Sequence, residues 1–234
     1  MKLIPLLIFF TSFSASAEKF QSTTHQTSLL ELYSSQGCSS CPPAERWISN
    51  LSNHKSLWID FVPIVFHVDY WNQLGWRDPF SKPAYSQRQR TYHQQGSIRS
   101  VYTPGFILNG SEWRTWFLRK SVPTESNPSQ VLSASFMNNQ LDVKYESYKQ
   151  LILNVAILGF DIKTDVLTGE NKDRSFTENF IVLSHQTSLS KNGKWSEKLS
   201  RPKHADAKKY ALAIWVSEPD NLKPLQSVGG WVKF

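Results

Sequence analysis

Leu29-Leu30-Glu31-Leu32-Tyr33-Ser34-Ser35-Gln36-Gly37-Cys38-Ser39-Ser40-Cys41-Pro42-Pro43-Ala44 runs from an apolar stretch into the only two cysteines of the chain. The apolar run predicts a strand over 28–33. Ala44, Trp47, Ile48 and Leu51 recur at helical spacing and predict a helix over 43–51. A C-x-x-C pair at a strand-to-helix junction is the arrangement that dithiol–disulfide chemistry uses. With no other cysteine, the pair can close on itself, hold a metal, or bond to a partner protein.

The thiolate is the reactive form, and a helix N-terminus lowers a thiol's pKa by aiming free N–H groups and the positive dipole end at the sulfur. On this layout Cys38 is the exposed attacking thiolate and Cys41 the resolving thiol. Pro42 and Pro43 carry no N–H, which weakens the effect on Cys38. Pro42 also disfavours helical geometry at Cys41.

Working outward, strand and helix signals alternate. Residues 57–68 form a nearly continuous apolar run, as in a strand buried on both faces, with Pro63 marking its true start. An aromatic, proline-marked loop covers 70–83. A polar helix follows over 84–95, with Pro83 near its start and Gly96 near its end. A further strand over 101–108 leads into the hairpin turn Asn109-Gly110. The alternation predicts an α/β layer with at least one parallel strand pair. The order of elements resembles that of thioredoxin-like domains. The resemblance implies a cis-proline beside the C-x-x-C pair, preceded by a residue that presents its backbone to substrate. Those positions fall on Thr103 and Pro104. His67 and Asp69 are two apart and share a face of an extended segment, at the same sheet edge as Cys38. They are candidates for proton transfer or for tuning Cys38, or else for anchoring the aromatic loop. Trp71, Trp76 and Phe80 read as loop packing.

Residues 121–128, Ser-Val-Pro-Thr-Glu-Ser-Asn-Pro, have the composition of a linker. Beyond them the pattern becomes short strands over 131–137, 140–145, 151–160, 181–189, 194–199, 210–216 and 229–234. Several are separated by turns such as Asn138-Asn139 and Asn192-Gly193, which predicts an antiparallel sandwich or partial barrel. The expected organisation is a signal peptide over 1–17, an α/β thioredoxin-like domain over 18–120, a linker over 121–130 and an all-β, sandwich-like domain over 131–234.

Met1-Lys2, the apolar run from Leu3 to Phe10 and the A-x-A ending at Ala17 have the layout of a secretory signal peptide. The run is too short to span a bilayer. The expectation is a secreted or periplasmic protein, where disulfides persist, with no stable membrane insertion. Lys and Arg total 26 against 19 Asp and Glu, but the charges are scattered and no nucleic-acid motif accompanies them.

The stretch from Leu32 to Ala44 resembles the opening motif of the secreted family named domain of unknown function 1223. Phe66-His67-Val68-Asp69-Tyr70-Trp71, Leu74-Gly75-Trp76-Arg77-Asp78-Pro79-Phe80 and Tyr102-Thr103-Pro104 match it too, and Gly169-Glu170-Asn171 does so more loosely. The resemblance implies a thioredoxin-like domain followed by a β-rich one, without an established activity. The leading functional expectation is a thiol–disulfide oxidoreductase that acts on protein thiols and disulfides and needs no organic cofactor. A second reading is a static disulfide in a binding protein, although so small a loop adds little stability. A third is metal held by Cys38 and Cys41 with His67 or His93. No second close Cys or His pair completes a zinc set, so no metal is expected.

Overall fold

A computed structural model describes residues 17–118, 121–124, 127–202 and 207–234. The expected signal peptide, save Ala17, lies outside the described residues. The first half supplies strands β1 (Glu18–Gln21), β2 (Ser28–Ser34), β3 (Phe61–His67), β4 (Gly105–Leu108) and β5 (Ser111–Glu112), with helices α1 (Pro42–Ser49) and α2 (Pro83–Gln94). The second half supplies β6 (Leu132–Met137), β7 (Gln140–Tyr145), β8 (Leu151–Phe160), β9 (Ile162–Val166), β10 (Arg174–Glu178), β11 (Ile181–Ser190), β12 (Lys194–Lys198), β13 (Lys209–Ser217) and β14 (Pro224–Val232).

Every residue of β2 and β3 is buried, as near-continuous apolar runs require of strands covered on both faces. The two strands are parallel, with Ser34 opposite His67, and β4 flanks β2 antiparallel with Gly105 opposite Tyr33. Pro63 lies inside β3 rather than at its start. It is tolerated because β11 meets β3 only at Val65, so the proline has no second strand demanding its absent N–H.

The described second-half strands divide among three sheets, of which β9 and β10 form a two-stranded antiparallel pair of their own. Another is an antiparallel sheet in the order β1-β6-β7-β12. The third is a mixed sheet of eight in the order β14-β13-β8-β11-β3-β2-β4-β5, which runs through both halves of the sequence. The linker-divided plan therefore meets a shared sheet: β11 joins β3, and β1 crosses to pair with β6. The four-stranded sheet packs against β8, β13 and β14 of the large mixed sheet. Phe136, Leu141, Val143 and Trp195 there pack with Leu153, Leu212, Ile214 and Val228. A second apolar cluster lies between the large sheet and the helices and joins Leu30, Val65 and Phe106 to Ile48, Tyr85 and Trp215.

Helix α2 is bolted to the sheet by buried polar groups. Arg88 forks onto the Glu31 carboxylate, Nε to Oε2 at 2.9 Å and Nη2 to Oε1 at 3.1 Å. The hydroxyls of Tyr33 and Tyr92 donate to the same carboxylate. A buried ion pair gains from such extra hydrogen bonds because they satisfy lone pairs that desolvation would strand.

Candidate functional site

Cys38 and Cys41 are joined as a disulfide, Cα to Cα 5.4 Å, at the end of β2 and the start of α1. Helix α1 begins at Pro42, and Cys41 takes helical angles ahead of it despite the proline. The helix contributes few donors to the sulfurs. The Cys41 N–H donates to the Cys38 carbonyl at 3.2 Å, Pro42 and Pro43 have none, and Ala44 and Glu45 donate to the Cys41 carbonyl. The Ser40 hydroxyl is the polar group set against Cys38, 3.4 Å from its sulfur.

The expectation of an exposed Cys38 is overturned. Cys38 is 0% exposed and Cys41 1%. The far half of the chain reaches this turn. The turn between β9 and β10 brings Asn171 across, its Nδ2 donating to the carbonyls of Gln36 at 2.8 Å and Cys38 at 2.9 Å. Its neighbour Glu170 accepts from the Ser39 N–H at 3.1 Å, and the Ser39 hydroxyl together with this N–H holds its carboxyl below the usual range. Gly75 and Gly169 are both at positive φ, and a Cβ on Gly75 would come within 3.2 Å of the Gly169 backbone. This close approach seats the turn, and the Thr168 hydroxyl donates to the Gly75 carbonyl.

Thr103-Pro104 is a cis peptide. It directly precedes β4, so the β2–β4 register brings it to the same end of the sheet as the disulfide. Trp71 bridges the two: its indole donates to Thr103 Oγ1 at 2.8 Å, and its Cβ lies 3.4 Å from where a side chain on Gly37 would begin.

His67 sits beside Ser34 at the end of β3, under the disulfide turn. Its expected partner Asp69 is not its partner. Asp69 lies beyond the strand end, where the alternation of faces no longer holds, and takes the Ser86 hydroxyl of α2 instead. His67 Nδ1 meets Asp78 Oδ2 at 2.7 Å. Its Nε2 lies 3.6 Å from Glu45 Oε1 and 3.8 Å from Glu178 Oε1. Burial opposes charging the ring, but Asp78, Glu178 and Glu45 outweigh it and lift its pKa to about 10. Burial likewise opposes ionising Asp78, yet His67 and the N–H groups of Gln36 and Phe80 hold its carboxyl below the usual range. Burial, with Glu45 and Asp78 nearby, pushes Glu178 up to about 8. Burial raises Glu45 too, and the Ser34 hydroxyl eases its charge without completing a well-aligned hydrogen bond.

Glu45, His67 and Glu178 are the group among the described residues with His, Cys, Asp or Glu atoms close enough to share an ion. His93 is elsewhere, against the Ile98 carbonyl. Glu45, Asp78 and Glu178 were missed as site residues. Asp78 stood in a quoted motif and Glu45 one helical turn after Cys41. Glu178 had no local signal, since β10 was not foreseen.

The model of the family described as protein of unknown function DUF1223 matches residues 29–217. The chain belongs to the DUF1223 family. Among solved structures, this DUF1223 chain resembles protein AGR_C_4864 from Agrobacterium tumefaciens, with a TM-score of 0.58 at 21% identity, over 90% of this chain and 96% of that one. It also resembles HBP35 of Porphyromonas gingivalis, with a TM-score of 0.55 at 12% identity, over 89% of this chain and 76% of that one. These likenesses concern the fold. No curated protein matches the DUF1223 chain by sequence.

Proposed function

We propose that this DUF1223 protein carries out thiol–disulfide exchange outside the cytoplasm, on protein thiols and disulfides, through Cys38 and Cys41 in a thioredoxin-like setting. The observation that carries the reading is the disulfide between the chain's only cysteines, set at a strand-to-helix junction at the sheet end that bears cis Thr103-Pro104. In the reducing direction the Cys38 thiolate attacks a partner disulfide. The partner's S–S bond breaks, one partner sulfur leaves and takes a proton, and a mixed disulfide forms. Deprotonated Cys41 then attacks Cys38 sulfur, releasing the second partner thiol and restoring the Cys38–Cys41 bond. Two electrons pass from the dithiol to the partner, all within sulfur, so no organic cofactor enters. Thr103 and Pro104 supply backbone for the partner chain to lie against.

The burial of both sulfurs favours a second reading, a static disulfide. One measurement separates them. Structural disulfides have reduction potentials below about −300 mV, whereas exchange couples lie higher. We expect a potential above that value, and a mixed disulfide trapped on Cys38 in the Cys41→Ser variant. A potential below about −300 mV with no trapped partner sinks the exchange reading.

A further inference from the structure

We propose that Glu45, His67 and Glu178 bind one divalent transition-metal ion of the zinc class beneath the disulfide turn, using no cysteine. The three side chains come from α1, β3 and β10, and their nearest ligand atoms all lie within 4.8 Å of one another. Zinc bonds to nitrogen and carboxylate oxygen are about 2.0–2.2 Å long, so two ligands of one ion stand at most ~4.2 Å apart. The pairs at His67 Nε2, 3.6 Å to Glu45 and 3.8 Å to Glu178, already satisfy that limit.

His67 Nε2 is the second and independent observation. The His67 side chain is fully buried, and this nitrogen makes no hydrogen bond although it faces two carboxylates. A buried polar atom without a hydrogen bond costs about 1–3 kcal/mol; here only the attraction of the two carboxylates offsets it, and the incoming ion takes the place of the Nε2 proton, which leaves to solvent. Its other nitrogen is fixed on Asp78, and a carboxylate on Nδ1 is the outer-shell partner that metal-binding histidines use to turn the Nε2 lone pair toward an ion. Of the other two ligands Glu178 is braced alike, while both oxygens of Glu45 are buried with no hydrogen-bond partner. Gln36 Nε2 holds Glu178 Oε2 at 2.6 Å, leaving Oε1 toward His67. Gln36 and Phe80 backbone N–H groups hold the two oxygens of Asp78 at 2.8 and 2.9 Å. Two carboxylates and one imidazole form an oxygen–nitrogen set that suits zinc or its first-row neighbours, and three protein ligands leave a position for water.

The test uses the tag-free mature chain with its disulfide intact, so that no thiol can bind metal. After chelator treatment and dialysis, zinc chloride is titrated calorimetrically, with thermal melting as a second readout. We expect one ion per chain and a raised melting temperature. Glu178→Gln and Glu45→Gln should each weaken binding at least tenfold. Asp78→Asn, which acts through His67, should cost 10–100-fold, the usual effect of losing such a partner. Absence of stoichiometric binding to the wild-type chain overturns the proposal, and that arm needs no variant to fold. Undiminished binding by a folded Glu45→Gln/Glu178→Gln double variant overturns it as well, because the ion then sits elsewhere. Since the disulfide stays closed throughout, the outcome is independent of whether the cysteines exchange.

Discussion

At the scale of single residues, the reactivity of Cys38 depends on one hydroxyl more than on its helix. The first N–H groups of α1 are absent or already engaged, and the Ser39 N–H is held by Glu170. Ser40 Oγ is left as the side-chain donor for a Cys38 thiolate. Ser40→Ala should therefore raise the Cys38 thiol pKa and make the couple harder to reduce. A hydrogen bond to a charged group is worth about 1.5–3 kcal/mol and 30 mV corresponds to ~1.4 kcal/mol, so the potential should fall by roughly 30–60 mV. An unchanged potential and thiol titration in Ser40→Ala would remove Ser40 from the chemistry. Here the sequence was a direct guide to the cysteines, a covalent feature with a local signature, whereas cis Thr103-Pro104 was implied by the resemblance to thioredoxin-like domains and not by the lone Thr-Pro pair. It misled on Asp69. The two-residue alternation that pairs His67 with Asp69 applies only while the strand lasts, and β3 stops at His67.

At the scale of elements, the β9–β10 turn is hydrogen-bonded to the disulfide turn, and the proposed exchange would require it to give way. Asn171 bonds two carbonyls of the Cys38 turn, and these are neutral hydrogen bonds worth about 0.5–1.5 kcal/mol each net. Removing them with Asn171→Ala should raise the open population roughly tenfold, since ~1.4 kcal/mol is a factor of ten. The expected result is disulfide reduction by a small dithiol that is about ten times faster than in wild type, measured by thiol release under native conditions. Equal rates would mean that the turn does not limit access. Helix α2 was placed to within a residue by its flanking Pro83 and Gly96, yet its buried face was not legible. Tyr85, Ser86, Arg88, Gln89 and Tyr92 are all buried, and a polar face reads as solvated until its partners are known. Glu31 is the decisive one, a charged residue mid-strand 57 positions away. The β9–β10 hairpin gives no clear signal because Lys163, Thr164 and Asp165 break the apolar pattern on a strand buried only at its two ends.

At the scale of the whole molecule, the eight-stranded sheet ties the halves, and His185 of β11 stands at the seam. Its ring stacks on Trp215 of β13 and meets Phe66 of β3 edge-on, while Nε2 pairs with Asn154 Oδ1 at 3.1 Å. Burial, then the charges of Arg88 and Lys82, push its pKa down from 6.5 to about 3. The unfolded chain therefore takes a proton below about 6.5 that the folded chain refuses, so this contribution to stability is lost as pH falls from 6.5 toward 3. Other buried groups titrate in the same range, so the comparison must be with His185→Gln. Relative to wild type the variant should gain up to about 1.4 kcal/mol per pH unit below 6.5, trimmed by the ring's partial exposure. Denaturant unfolding at several pH values measures the slope, and parallel curves for the two proteins would refute it. We expect a single cooperative transition throughout, because β3 and β11 share one sheet. The strands of the second half were legible from alternation and turns, but their assignment to sheets was not. Register between segments a hundred residues apart is set by long-range packing, which no local pattern encodes.

The separation of 133 positions between Cys38 and Asn171 also gives the site a history. A ribosome makes the cysteines long before Asn171. A disulfide between cysteines three apart needs none of that later chain in order to close, whereas the hydrogen bonds of Asn171 can form only once the second half has been made.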